Sequence, residues 1–286
     1  MGLLNYKIAW FTEGGWQGKV SLDNPNMRND VSTKWLLGAE HYPIFQLPQV
    51  LQHFGKNHFD FGIVTLPKTN VDKLMTFDMM GDLKKLCRKT ISMQEGPHWY
   101  FQDYTMEQQI WWYNSLTEFD MLFAHNWKDV NYYRGITNKL VQKMPTLMLA
   151  ERLGIIPRNE WSDAVMIGGN MVRWYGGFDS YVVAQHFDMP ISAPSMGRKI
   201  DREDEMDIQH LPYMTWVEWI KTLSQYYVGV HMMPTHAAGT FTLNCAFHGI
   251  PCIGYRGLDT QELLHKNTMI DVGDLYEAKK LVKRLK

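Results

Sequence analysis

Arg173 and the glycines around it are the residues of this 286-residue chain best suited to chemistry. In Asp163–Ser180 an apolar run, Ala164 to Ile167, meets Gly168 and Gly169. A loop with Asn170 and Arg173 follows, then Gly176 and Gly177, then a helical stretch through Gln185. Strand, glycine turn and helix start together present free N–H groups and a positive helix end to an anion. A guanidinium adds two N–H bonds of the geometry phosphate accepts. The plain alternative is a set of tight turns and a surface ion pair, which are common; Arg173 tilts the balance toward phosphate. A second turn, Thr12-Glu13-Gly14-Gly15-Trp16-Gln17-Gly18, follows the strand-like Tyr6–Phe11. Two such turns, one opening each half, predict two nucleotide-binding-like halves facing a shared cleft.

Proton chemistry needs a carboxylate or imidazole just beyond a strand's C-terminal end, where open α/β sheets bind ligands. Thr90–His98 puts Glu95 there and makes it the leading candidate base. Glu13, past the first strand, and His98 are its rivals. Capping or solvation is the ordinary role of each. No metal is expected: Asp201–Glu205 reads as a solvated acidic run, and His231 and His236 have no evident third ligand.

Positioning these groups requires alternating strands and helices. Strands are predicted at 6–11, 42–47, 59–65, 89–94 and 120–125, with helices at 28–38, 48–56, 70–87 and 106–118. Residues 138–162, bracketed by Pro145 and Pro157, read as a connector. The pattern then restarts with strands at 163–168, 190–193, 207–211, 226–232, 251–255 and 268–272. Helices at 178–187, 215–224, 239–248, 259–266 and 274–285 complete it. Thr105–Gln108 and Thr215–Glu218 carry capping-box patterns. The expected fold class is α/β, with two Rossmann-like domains of parallel sheet covered on both faces, at 1–150 and 151–286.

Composition sets the outer bounds. With 45% apolar and 21% charged residues the chain reads as globular, not disordered. No run approaches the about 20 apolar residues needed to span a bilayer. Cys87, Cys245 and Cys252 form no CxxC pair, which with the absence of a signal-like start predicts a reduced, cytoplasmic setting. Tyr6 stands where N-myristoylation wants Ser or Thr. A net charge of −1 gives no overall pull toward nucleic acid. Trp16, Trp99, Tyr100 and Trp174 fall in loops beside the expected cleft, where flat faces suit a sugar or base, although most aromatic residues serve core packing.

The segment Tyr226–Gly254, with Gly249-Ile-Pro-Cys-Ile-Gly254 at its end, resembles the donor module of nucleotide-sugar glycosyltransferases of GT-B architecture. Met269–Ala278 looks like that family's closing strand and helix, and 163–185 like its opening strand, loop and helix. The resemblance covers 160–286 well and the first half in architecture only. It implies that 151–286 binds the donor and 1–150 faces the acceptor. Gly168, Gly169, Asn170, Arg173, His236, Gly239 and Thr240 would meet the diphosphate, joined by Gly14 and Gly15 from the first turn. Asn244 would hold the ribose. The phage DNA glucosyltransferases of this architecture place a catalytic Asp after a strand comparable to the one before Glu95.

The chain also departs from the family. Two Glu spaced by seven residues are replaced by His236 and Asn244, and the basic pair of the first loop is reduced to Arg173. The usual crossing helix is expected to be absent after Lys286. The implied activity is metal-independent, cofactor-free and inverting transfer of a sugar from a nucleotide-diphosphate donor. The acceptor stays open among glycan, lipid, protein, small molecule and modified DNA. An epimerase of the same fold and a degenerate nucleotide-sugar or glycan-binding module are the rival readings. A dinucleotide oxidoreductase fits worse, because Gly14-Gly-Trp-Gln-Gly18 is not GxGxxG.

Overall fold

Side-chain alternation along β1 (Ile8–Thr12) accounts for the first sheet. Ala9 and Phe11 enter one core and Trp10 enters the other, so both faces must be covered. The computed structural model describes residues 6–23, 31–67, 69–154, 156, 162–194, 200 and 202–286. It divides into two compact units, Met1–Pro145 and Thr146–Lys286; the sequence pattern placed that boundary after residue 150.

In the first unit, β2 (Gly18–Lys19), β3 (Glu40–Pro43), β4 (Phe59–Val64), β5 (Cys87–Met93), β6 (Met121–Ala124) and β7 (Leu140–Lys143) join β1. Their order is β2-β3-β1-β4-β5-β6-β7, parallel except for β2. Helices α1 (Val31–Trp35), α2 (Leu47–Phe54), α3 (Val71–Leu74), α4 (Met79–Leu86), α5 (Met106–Glu118) and α6 (Trp127–Ile136) cover the faces. The larger core joins Phe11, Val64, Leu83, Leu122 and Tyr133. The smaller one joins Trp10, Ile63, Ile91 and Met93.

The second unit holds β8 (Ser162–Ile167), β9 (Ile191–Ala193), β10 (Gln209–His210), β11 (Tyr226–His231), β12 (Cys252–Tyr255) and β13 (Met269–Ile270). The order β10-β9-β8-β11-β12-β13 is the 3-2-1-4-5-6 arrangement of a doubly wound sheet, parallel throughout. Helices α7 (Gly177–Gln185), α8 (Trp216–Leu223), α9 (Thr240–Phe247), α10 (Asp259–Leu264) and α11 (Leu275–Leu285) flank it. Val183 and Ala184 of α7 and Leu281 and Val282 of α11 share one core with Val165, Val228 and Ile253. On the other face, an added Cβ at Gly229 would lie 2.8 Å from Cys245 Sγ of α9.

Both capping boxes form: Thr105 with Gln108 starts α5, and Thr215 with Glu218 starts α8. Four sequence expectations differ from the structure. The strand expected at 42–47 ends at Pro43, because the chain turns at Ile44–Gln46 and Pro48 pre-sets the first turn of α2. The helix expected at 70–87 is split, since Asp78 accepts from the Gly81 N–H and starts α4 afresh. The connector from 138 contains a sheet strand, β7, paired along β6. Helix α6, which the periodicity does not reveal, starts at Asn126 as its N-cap. Residues 28–30, Pro157–Glu160, Asp201 and Met1–Gly2, which entered the sequence reading, lie outside the described residues. No helix among the described residues is long and apolar enough to cross a membrane. Cys87, Cys245 and Cys252 are buried and unbridged.

Candidate functional site

In the first unit the sheet order reverses between β1 and β4, so the crevice beyond those strand ends is the expected ligand position. The turn after β1 is built on His41. Its Nδ1–H donates to the Trp16 carbonyl at 2.8 Å, and its Nε2 accepts from the Thr12 hydroxyl, also at 2.8 Å. Thr12 Oγ1 in turn accepts from the Gly14 N–H at 3.0 Å. The Trp16 ring stacks on the imidazole at 3.9 Å. Burial lowers the His41 pKa to about 4, which keeps the ring neutral and able to both donate and accept. The turn then enters β2 rather than a helix, so the strand–glycine–helix geometry expected around Gly14 and Gly15 is not formed there. An added Cβ at Gly15 would meet nothing within 4 Å. Glu13, in the same turn, accepts from the Thr69 hydroxyl at 2.5 Å and the Asn70 amide at 2.6 Å.

Past β5, Glu95 Oε1 accepts from the backbone N–H of Ser32 in the first turn of α1 at 3.3 Å. That is helix capping. His98 has a different environment. Its Nδ1–H donates to Asp129 Oδ1 at 2.7 Å, and its backbone N–H reaches the same oxygen at 3.0 Å. Asp129 is 2% exposed, and its other oxygen accepts from the Asn126 amide at 2.5 Å. Asn126 Oδ1 caps α6 through the Asp129 N–H at 2.9 Å. The His98 ring also stacks on Tyr132 at 4.0 Å. These contacts fix the ring plane and leave Nε2 as the nitrogen not engaged by Asp129. Sequence reasoning missed Asn126 and Asp129. The signal was present: Asn126-Trp-Lys-Asp129 directly after a predicted strand is an N-cap pattern with an acid at its third helical position.

In the second unit the reversal lies between β8 and β11. Gly168 ends β8, donating its N–H to the Val230 carbonyl at 2.8 Å. Gly169 has φ +79° and lies against Tyr175. Asn170 is 5% exposed, and its Oδ1 accepts from the Val172 N–H at 3.4 Å. Gly176, at φ +65°, caps α7; a Cβ there would lie 1.7 Å from the Met232 carbonyl oxygen. No other residue could bring the loop so close to the tip of β11. Arg173, exposed in the short turn before Gly176, pairs with no other described residue.

Gly239 caps α9 at φ +73°, and its carbonyl accepts from the hydroxyls of Thr242 and Thr260, each at 2.8 Å. Thr240 Oγ1 lies 3.1 Å from Thr146 Oγ1. His236 donates Nδ1–H to the Gly257 carbonyl at 2.6 Å. Thr235 ties this loop to the one after β8 through the Trp174 carbonyl at 3.2 Å. Asn244 is differently employed from what the resemblance implied. It is 1% exposed; with its amide turned so that both ends are satisfied, the oxygen accepts from Trp219 Nε1 at 3.0 Å and the nitrogen donates to the Thr240 carbonyl at 3.3 Å. That amide joins α8 to α9. Two helix N-termini, with their unsatisfied first-turn N–H groups, and one exposed guanidinium thus accompany this sheet's strand ends, a set of donors suited to a diphosphate. Among the described residues no group of three His, Cys, Asp or Glu side chains could hold a metal ion.

The chain is structurally similar to HepE of Anabaena, solved in complex with UDP and glucose, at TM-score 0.63 and 11% identity over 98% of this chain and 89% of that one. The fold is GT-B. An alpha-glucosyltransferase solved with UDP and a 13-mer DNA containing a central A:G mismatch is similar at TM-score 0.61 and 12% identity, covering 98% and 89%. TarM is similar at TM-score 0.59 and 8% identity over 84% of this chain, which spans 50% of TarM. No family model matches the chain, and no curated protein does.

Proposed function

We propose that the chain is a glycosyltransferase that moves a sugar from a nucleoside-diphosphate donor, with UDP as nucleotide, to an acceptor hydroxyl without a metal ion. The GT-B fold shared with proteins solved with UDP supports the donor class. The observation that carries the reading is the second unit's switch point, where Arg173 and the glycine-capped starts of α7 and α9 supply donors for a diphosphate. In the proposed reaction the acceptor oxygen bonds to the anomeric carbon as the bond from that carbon to the diphosphate breaks. The acceptor proton passes to His98 Nε2, and Asp129 stabilises the imidazolium so formed. Arg173 and the first-turn N–H groups meet the charge growing on the leaving diphosphate. Glu13 and Glu95 serve the turns instead, since their carboxylates already accept bonds from Thr69, Asn70 and Ser32. His236, whose ring is held by the Gly257 carbonyl, is a contact for the sugar or the diphosphate.

A panel of UDP-sugars tests this directly. The expected result is a rise in melting temperature with UDP and its sugars, and release of UDP that accelerates with the correct acceptor. Binding without release against glycan, small-molecule and DNA acceptors alike would favour a binding module. Conversion of donor alone into an epimer would favour an epimerase.

A further inference from the structure

His231 ends β11 at the point where the second sheet reverses, and among the described residues neither of its ring nitrogens has a hydrogen-bond partner. The side chain is 4% exposed. Buried polar atoms in folded proteins nearly all have partners, because an unpaired one forfeits its bond to water. Two on a single ring therefore need a reason.

The surroundings of the ring supply it. Val230 pairs with Ile167 and His231 with Gly254, so His231 stands level with Gly168 on one side and Gly254 on the other. Two glycines flank it in neighbouring strands. A Cβ at Gly168 would lie 2.8 Å from the imidazole Cγ and 2.5 Å from the Phe241 ring. On the Gly168 side the sheet is thus kept bare against this ring, whereas a Cβ at Gly254 would meet Gln261 and the His231 backbone carbonyl. Phe241, in the first turn of α9, meets the ring edge-on at 5.5 Å. His231 therefore packs on a first-turn side chain of an eight-residue helix whose first N–H groups have no intrahelical partner. An imidazole packed against the first turn of such a helix, at a switch point of a doubly wound sheet, suits a ligand made of acceptors.

We propose that His231 is a donor-site residue whose imidazole hydrogen-bonds a phosphate oxygen of the nucleoside diphosphate held at the start of α9. The proposal rests on the donor reading above and adds to it a group that offsets the thin basic complement of the Gly168–Gly177 loop. Burial holds the free ring neutral, with its pKa lowered to about 4, so near neutral pH it offers one N–H donor and one acceptor.

The test is titration calorimetry with UDP and with inorganic pyrophosphate on the full chain, wild type, H231Q and H231F. Melting temperatures of each and the His231 ring signals of the wild type in two-dimensional NMR complete it. The expected result is that H231F weakens UDP binding at least tenfold while melting at or above the wild-type temperature, because it removes unpaired polar atoms from the protein alone. H231Q, which keeps a donor, should stay within about threefold of the wild type, and the ring signals should shift on adding UDP or pyrophosphate. Unchanged UDP affinity in H231F, or ring signals unmoved at saturating UDP, overturns the assignment while leaving the donor reading intact. Should a variant not fold, the wild-type ring signals still decide. If the wild type binds neither UDP nor pyrophosphate, the donor reading and this proposal fall together.

Discussion

The strand ends of the two sheets share a layout and differ in what their polar groups are doing. In the first unit, His41, Glu13, Glu95, His98 and Asp129 are each tied to a partner within the unit. In the second, among the described residues, Arg173 has no partner and both nitrogens of His231 are vacant. Paired groups hold geometry and protonation state, which proton transfer requires. Unpaired donors are what the proposed diphosphate would engage. On the proposed function, the same architecture would serve preorganised acid–base chemistry in one half and ligand capture in the other.

The largest effect should come from the His98–Asp129 pair. H98A should lower kcat about 10²- to 10⁴-fold, the usual worth of a general base, with little change in the KM of the donor. D129N should lower kcat by a comparable factor, because the buried amide presents a donor where His98 needs an acceptor. If kcat for H98A stays within threefold of wild type in steady-state assays, the first unit's paired cluster is structural and the contrast collapses.

Next come the glycines, because the two turns look alike in sequence and differ in space. G176A places a methyl against the Met232 carbonyl at positive φ and should cost about 3 kcal/mol or more, read as a fall in denaturant midpoint. G15A, in open space, should change stability by under about 0.5 kcal/mol. Equal losses would mean that the two turns are under the same constraint.

That pair also shows what was legible in the sequence. Element order was readable almost throughout, because apolar runs and capping boxes are local signals: α5 was expected at 106–118 and is found at Met106–Glu118. The glycine turns were readable as turns but not as different turns. Only the tertiary structure shows that Gly176 touches β11, some 55 residues onward, while Gly15 touches nothing. The preference for Glu95 came from its place after a strand. Whether a carboxylate is spent on a helix start depends on Ser32, 63 positions away. Asp129, which orients His98, lies 31 residues on and announced itself only as a capping residue. Asn244 sat at a family position, yet its surroundings are set by Trp219 on another helix. Local pattern fixes elements; long-range contacts assign roles.

Arg173 tests the second unit's openness. Being exposed and unpaired, it should contribute nothing measurable to stability: R173A should melt within about 1 °C of wild type. Its loss should weaken UDP-sugar binding ten- to a hundredfold, about 1.4–2.8 kcal/mol, and R173K should recover only part, because an ammonium cannot bridge two phosphate oxygens in a fixed fork. Full affinity in R173A would remove the guanidinium from the site.

The smallest effect separates two histidines that titrate alike and are bonded differently. The folded-state pKa values of His41 and His231 are lowered to about 4, against an ordinary 6.5. Above pH 6.5 both are neutral in either state and stability is full. Between 6.5 and 4 the unfolded chain takes up protons that the folded chain refuses, so stability falls as the pH falls, by at most about 1.4 kcal/mol per pH unit per histidine. Urea midpoints measured from pH 7.5 to 4.5 should show this decline, with a shallower slope when either residue is replaced by Phe. At pH 7.5 the two variants should part. H41F strips partners from the Trp16 carbonyl and the Thr12 hydroxyl and should cost about 1–3 kcal/mol, whereas H231F breaks no protein hydrogen bond and should not destabilise the chain. If H231F loses as much as H41F, the imidazole of His231 is an ordinary structural side chain, and the two sheet ends are more alike than their hydrogen bonds indicate.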